Sequence, residues 1–119
     1  MNEKVSLAGK LALIDDQWRP RIVAAYNENK VVLVKVQGDF VWHKHDDTDD
    51  FFLVISGRLL VDLRDRTVEL GPGELFVVPK GVEHRPRALQ ETEVLLIEPM
   101  GTRNTGDADS DRAAPEEWI

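Results

Sequence analysis

The order of apolar and polar positions divides the chain into a short helical opening, a long β-patterned middle and a polar end. In "VSLAGKLALI", residues 5–14, Val5, Leu7, Ala8, Leu11, Ala12 and Ile14 fall near helical spacing. This predicts a short helix, weakened at Gly9, in a segment closed by Pro20. From residue 21 the pattern becomes that of strands. "RIVAAYN" and "VVLVKVQ" carry β-branched residues and flank the turn-like "ENK". "FVWHKH" follows a turn at Gly38 and Asp39, and "FFLVISG" is an apolar run ended by Gly57. "LLVDLRD" alternates, with Leu59, Val61 and Leu63 on one face and Asp62 and Arg64 on the other. "TVELGPG" ends in a tight turn, "ELFVVPKG" is apolar on both faces, and "TEVLLIEP" is the last clear strand.

Short strands at regular spacing, punctuated by Gly and Pro, predict an all-β sandwich or barrel. The expected organisation is an N-terminal segment over residues 1–20 with a short helix packing on the barrel, a barrel over 21–100, and an irregular tail over 101–119. The tail, "GTRNTGDADSDRAAPEEWI", is polar and rich in turn formers. It reads as a loosely packed or partly disordered loop, with Trp118 and Ile119 as candidate anchors. Strands apolar on both faces need outer cover from the N-terminal segment or another subunit, and a homodimer is expected.

Composition narrows the function classes. A chain of 119 residues suits one domain. It has no cysteine, which removes thiolate ligands, thiol nucleophiles and disulfides. A formal charge of −7 argues against binding a phosphate backbone. No segment approaches the roughly 20 apolar residues of a membrane span, and the N-terminus lacks a signal-peptide core. A cytoplasmic protein with neither nucleic acid nor membrane as partner is the expectation.

The chemistry is concentrated in "HKHDDTDD" and one distant histidine. His43, His45 and His84 are the only histidines. Residues i and i+2 of a strand share a face, so His43 and His45 can reach one ion while Trp42 and Lys44 point away. A barrel can bring His84, after the turn "PKGVE", opposite the pair. Asp46, Asp47, Asp49 and Asp50 are all available as a carboxylate ligand. Imidazoles with one carboxylate suit a divalent first-row ion such as Fe, Mn, Ni, Cu or Zn better than Ca or Mg. The plainer reading stands beside this one: the acidic run is a solvated turn and His84 is a hydrogen-bonded structural residue.

Glycines and prolines extend the pattern. His43-x-His45 is followed after four residues by Asp50 and after six more by Gly57. Downstream, five residues separate Gly73 from Pro79-x-Gly81, and two residues separate Gly81 from His84. These stretches resemble the two motifs of the cupin superfamily, and the surrounding strands carry the resemblance from about residue 21 to Pro99. In three places the chain departs from the family pattern. Aspartate stands for the usual glutamate, Gly38 lies one residue nearer to His43 than usual, and Ala88 stands where an asparagine is frequent. The resemblance implies a double-stranded β-helix, the jelly-roll or cupin barrel. It also implies one divalent transition metal at His43, His45, Asp50 and His84, with Asp49 the alternative carboxylate.

Such a centre implies a small-molecule ligand or substrate. The expected function is a metal-dependent enzyme acting on a small oxygen-bearing metabolite by oxygenase or isomerase-type chemistry. The alternative is a non-catalytic small-molecule or sugar-binding module. No catalytic acid or base stands out beyond the metal ligands; Tyr26 reads as outer packing and Asp49 as solvated. Arg85 and Arg87 alternate with His84 and should face away from the pocket. Arg58, Arg64 and Arg66 read as surface charge in or next to an exposed turn. Ala88 should share the inner face with His84 and Pro86. Lys35 either enters the pocket or extends to solvent. Phe40, Trp42, Phe51, Phe52 and Phe76 are candidates for cavity lining or core.

Overall fold

In the computed structural model of the protein, which describes residues 3–119, one short helix precedes seven strands. The helix α1 is Leu7–Leu11. The strands are β1 Arg21–Tyr26, β2 Asn29–Asp39, β3 Asp50–Ser56, β4 Leu59–Leu63, β5 Thr67–Leu70, β6 Leu75–Val78 and β7 His84–Pro99. Neighbours pair antiparallel in the order β1-β2-β7-β3-β6, while β4 pairs with both β5 and β7.

The 16-residue β7 is the spine. One edge follows β2 almost throughout, from Asn29↔Pro99 to Asp39↔Arg87, with a bulge between Val36 and Gly38. Its other edge pairs with β4 at His84–Arg87 and with β3 further on. The last strand therefore begins eight residues earlier than "TEVLLIEP" suggested, because "HRPRALQ" finds a partner in β4 as well as in β2. This all-β, jelly-roll architecture with its short N-terminal helix matches the expectation.

Alternation sorts the strands into an inner and an outer face. Val34 and Val36 of β2, Val54 of β3, Val61 of β4 and Val94 of β7 belong to the inner core. Ala88 is buried in it too, as its alternation with His84 implied. Burying this row is the main favourable term for a domain of this size. The outer face has its own cluster of Leu33 and Leu95 with Val23, covered by Leu11 and Ile14 and packed by Ile119. The cover therefore comes from the chain's own two ends.

The N-terminal helix is shorter than its periodic stretch. Ser6 caps it by accepting from Gly9 N at 3.0 Å, and regular structure stops at Leu11. A helix this short is marginal alone, so packing sets its extent. Lys35 resolves in neither of the expected ways: it lies on the outer face and donates from Nζ to Ile14 O at 2.7 Å, tying down the N-terminal segment. Tyr26 is 69% exposed rather than packed.

The tail is irregular but not loose. Ile22 and Trp118 form a parallel bridge, with Ile22 N donating to Glu117 O at 2.7 Å. Trp118 itself remains exposed while Ile119 packs inward, so the backbone and Ile119 hold the end. No described helix is long and apolar enough to cross a membrane.

Between β3 and β4, Gly57 adopts φ +87, and a Cβ there would lie 2.5 Å from Thr92 Oγ1 and 2.9 Å from Thr92 Cα. Gly57→Ala combines a left-handed backbone with overpacking against β7. Chemical denaturation should show a loss of more than about 2 kcal/mol.

Candidate metal centre

Three segments bring the four expected residues together. His43 and His45 lie between β2 and β3, Asp50 opens β3 and His84 opens β7. All four are buried, and each offers a donor atom within 4.8 Å of the others, a cluster that could hold a metal ion. "FVWHKH" is not a regular strand as expected. It makes one isolated antiparallel bridge, in which His43 N donates to His84 O at 3.0 Å and His84 N to His43 O at 2.9 Å. That bridge brings the two rings to 4.4 Å between centroids, their planes tilted by 50°. Gly81 N donates to His45 O at 2.8 Å, so the turn before His84 also holds the second histidine.

Of the four aspartates, only Asp50 enters the cluster. Asp46 pairs with Lys44 on the surface, Asp47 is exposed, and Asp49 accepts from Lys80 N at 2.9 Å. Asp50 Oδ2 lies 2.8 Å from His84 Nε2, 3.2 Å from His45 Nε2 and 4.0 Å from His43 Nε2.

The tautomers follow from the neighbours. His43 Nδ1 is 2.8 Å from Val41 O, and His84 Nδ1 is 2.9 Å from Val82 O. A carbonyl oxygen only accepts, so both Nδ1 atoms carry hydrogen. In the neutral rings the Nε2 lone pairs then face Asp50, an arrangement that becomes favourable with a positive charge between them. Burial is the main reason that the pKa of His43 falls to about 4, which keeps that ring neutral. At His45 burial opposes the charge, but the hydrogen bond and charge of Asp50 outweigh it and raise the pKa. At Asp50 burial is likewise outweighed by His45 and His84, and the pKa falls to about 2. An ionised carboxylate beside imidazole lone pairs fits a divalent transition ion.

The tail braces this cluster, which the sequence pattern did not reveal. Lys44, between the two histidines, is bonded through both backbone groups to one residue: its N donates to Asp107 Oδ1 at 2.8 Å and its O accepts from Asp107 N at 3.0 Å. Gly106 packs so closely that a Cβ would lie 2.2 Å from Lys44 O and 3.1 Å from the His43 ring.

A cavity of about 50 Å³ opens beside the cluster. Phe40 and Phe52 line it as expected, whereas Trp42, Phe51 and Phe76 do not. Trp42 lies under the Arg64 guanidinium at 3.8 Å, Phe51 joins the outer cluster, and Phe76 packs against the inner core. Arg85 and Arg87 face outward, where both bind Asp62, at 2.9 and 2.7 Å. Hydrogen bonding to Arg87, with Thr67 and Arg85, holds the Asp62 pKa well below the usual carboxylate range.

Trp18, Glu98 and Asn104 line the cavity without having been expected there. Trp18 stacks on Phe40 at 4.8 Å and donates from Nε1 to Gln37 O. For Glu98 a signal existed, since "VLLIE" places Val94, Leu96 and Glu98 in one alternating row.

Residues 30–99 match the family described as the cupin domain. The chain is similar to a cupin-2 domain containing protein from Shewanella frigidimarina NCIMB 400, with 44% identity and a TM-score of 0.79 over 80% of this chain and 93% of the other. It is similar to protein NMB1881 from Neisseria meningitidis, with 36% identity and a TM-score of 0.75 over 82% and 99%. Its fold also resembles hydroquinone 1,2-dioxygenase from Sphingomonas sp. TTNP3, with a TM-score of 0.74 over 82% and 32% but only 19% identity.

Two substitutions separate donation from bracing. His84→Ala should lower zinc affinity by at least about 100-fold in a competitive chelator titration. Gly106→Ala removes no donor, yet by displacing the Lys44 backbone it should lower the affinity by about tenfold or more.

Proposed function

The chain belongs to the cupin domain family, and we propose that it is a metal-dependent enzyme acting on a small oxygen-bearing compound. The observation that carries this reading is the convergence of three imidazoles and one carboxylate at the wall of an apolar cavity. His43, His45, Asp50 and His84 would hold one divalent transition ion. Such an ion supplies Lewis acidity, or redox chemistry if it is iron, manganese or copper.

With one anionic and three neutral donors the centre has a net charge of about +1, which favours an oxygen donor or an anion as ligand. The rest of the cavity selects on other grounds. Val34, Val36, Phe40, Phe52, Leu59 and Val94 give it apolar walls, and no arginine among the described residues lines it. Phosphate recognition calls for convergent Arg or Lys, so a sugar phosphate fits poorly. A compact apolar compound bearing a phenol, enol or carbonyl oxygen fits better, which favours oxygenase or ketone-type isomerase chemistry over sugar isomerisation. The resemblance to the Sphingomonas dioxygenase concerns the fold alone, so this preference rests on the cavity walls.

The proposal includes a homodimer, supported by the exposed apolar Leu75 and Val77 on the edge strand β6. An edge with apolar side chains invites pairing or cover. Sedimentation should give a dimer; a monomer at high concentration removes that part alone.

Elemental analysis of the purified or reconstituted protein should find about one transition metal per chain. The loaded protein should then be stabilised by phenols or diketones in thermal unfolding, not by sugar phosphates, and should convert at least one of them. Absence of metal after exposure to Fe, Mn, Ni, Cu and Zn would falsify the centre. Binding without conversion across the set would instead favour a non-catalytic binding module.

A further inference from the structure

Among the described residues, five polar or charged side chains other than that of Trp18 line the cavity, and three are the donors His43, His45 and Asp50. Asn104 is the fourth, but its amide is engaged within the tail: Nδ2 donates to Arg112 O at 2.9 Å and Oδ1 accepts from Ala114 N at 3.0 Å. The fifth is Glu98, only 6% exposed.

Glu98 faces Lys30 directly across the β2–β7 ladder. The carboxyl does not capture this lysine. Lys30 Nζ is 3.6 Å from Glu98 Oε1, but 2.9 Å from Glu116 Oε2 and 3.1 Å from Thr102 O, both in the tail. One ammonium thus serves two carboxylates, and the tail holds the closer one. On the side away from the centre, Glu98 borders a second space of about 20 Å³ with Lys30, Thr102 and Glu116. That is room for one water molecule, and Glu116 beyond it is partly exposed. Glu98 therefore borders both the ligand cavity and this small space under the tail.

Resting on the metal-centre reading above, we propose that Glu98 is the acid–base residue of this cavity, touching the ligand oxygen and exchanging a proton with it. Its position is set by Lys30 of β2, which the tail holds through Glu116. In the forward direction the O–H bond of a phenol or enol breaks, its electron pair stays on the ligand oxygen, and the proton forms an O–H bond on the Glu98 carboxylate. Release of the ligand reverses the transfer.

The electrostatics agree with that task. Burial first, and then the charge of Asp50 from β3, raise the pKa of Glu98 to about 7, while Lys30 from β2 and His45 oppose the rise. A cation bound to Asp50 would offset the second cause and leave burial to hold the carboxyl above its usual range. Glu116 acts from the tail by occupying Lys30. A carboxyl poised near neutrality can both give and take a proton.

Two measurements test this. In protein carrying 13C-labelled Glu carboxyls, NMR titration assigned through Glu98→Gln should show Glu98 titrating near neutrality. Glu116→Gln should lower that value by about one unit or more, because Lys30 turns to Glu98. A Glu98 that titrates with the surface carboxylates overturns the inference. The second measurement adds catechol to the zinc-loaded protein at mildly alkaline pH, with calorimetry in two buffers to count released protons. The wild type should release clearly fewer protons than E98Q, which should bind about tenfold more weakly and release about one proton per catechol. Equal proton counts, or a wild type that holds its zinc but ignores catechol, overturn Glu98's role. A protein that retains no zinc fails the metal reading, and the zinc content of each sample separates the two failures.

Discussion

Asp50 Oδ2 lies within hydrogen-bonding distance of His84 Nε2 and His45 Nε2, and His43 Nε2 is 4.0 Å away. Backbone carbonyls of Val41 and Val82 take up the Nδ1 hydrogens of His43 and His84, which turns lone pairs towards an ionised carboxylate. Such a converging set of nitrogen and oxygen donors suits a shared cation. The parts of the chain around it serve to hold the donors together and to keep water away from them.

Each support has a distinct origin. The His43–His84 bridge aligns two rings through main-chain bonds, independent of side-chain packing. The pairing of Asp50 with Val78 fixes the start of β3 beside the turn that carries His84. The tail supplies the rest, clamping Lys44 between the histidines and occupying Lys30 near Glu98. Thr105, in the same stretch, is fully buried with no hydrogen-bond partner for its hydroxyl in this structure. The polar tail that reads as loose in sequence is thus part of the centre's walls.

The same β alternation that buries the core also lines the cavity. Val94, Leu96 and Glu98 point inward from one strand, so a single carboxyl enters an otherwise apolar wall. Lys35, on the opposite face of β2 from Val34 and Val36, cannot enter it and instead anchors the N-terminal segment. Lys30 shares the inner row, and its ordering depends on partners at Thr102 and Glu116, more than 70 residues away.

Local pattern was enough for most of the strands and for the outward direction of Arg85 and Arg87, while the choice of Asp50 among four aspartates came from the resemblance to the cupin motif. Those features depend on period-two alternation and on spacing to glycine and proline, which are written into consecutive residues. Other features were decided only by tertiary contacts. Whether "FVWHKH" is a strand depends on what lies beside it, and its partners are scattered among Pro86, His84, Gly81 and Asp107 rather than aligned along one strand. Whether residues 101–119 are ordered depends on Lys44, Lys30 and Ile22, none of them near in sequence. The ionisable pair at Lys30 and Glu98 is likewise a product of burial and register. Burial is a property of the assembled barrel, and no short stretch of sequence contains it.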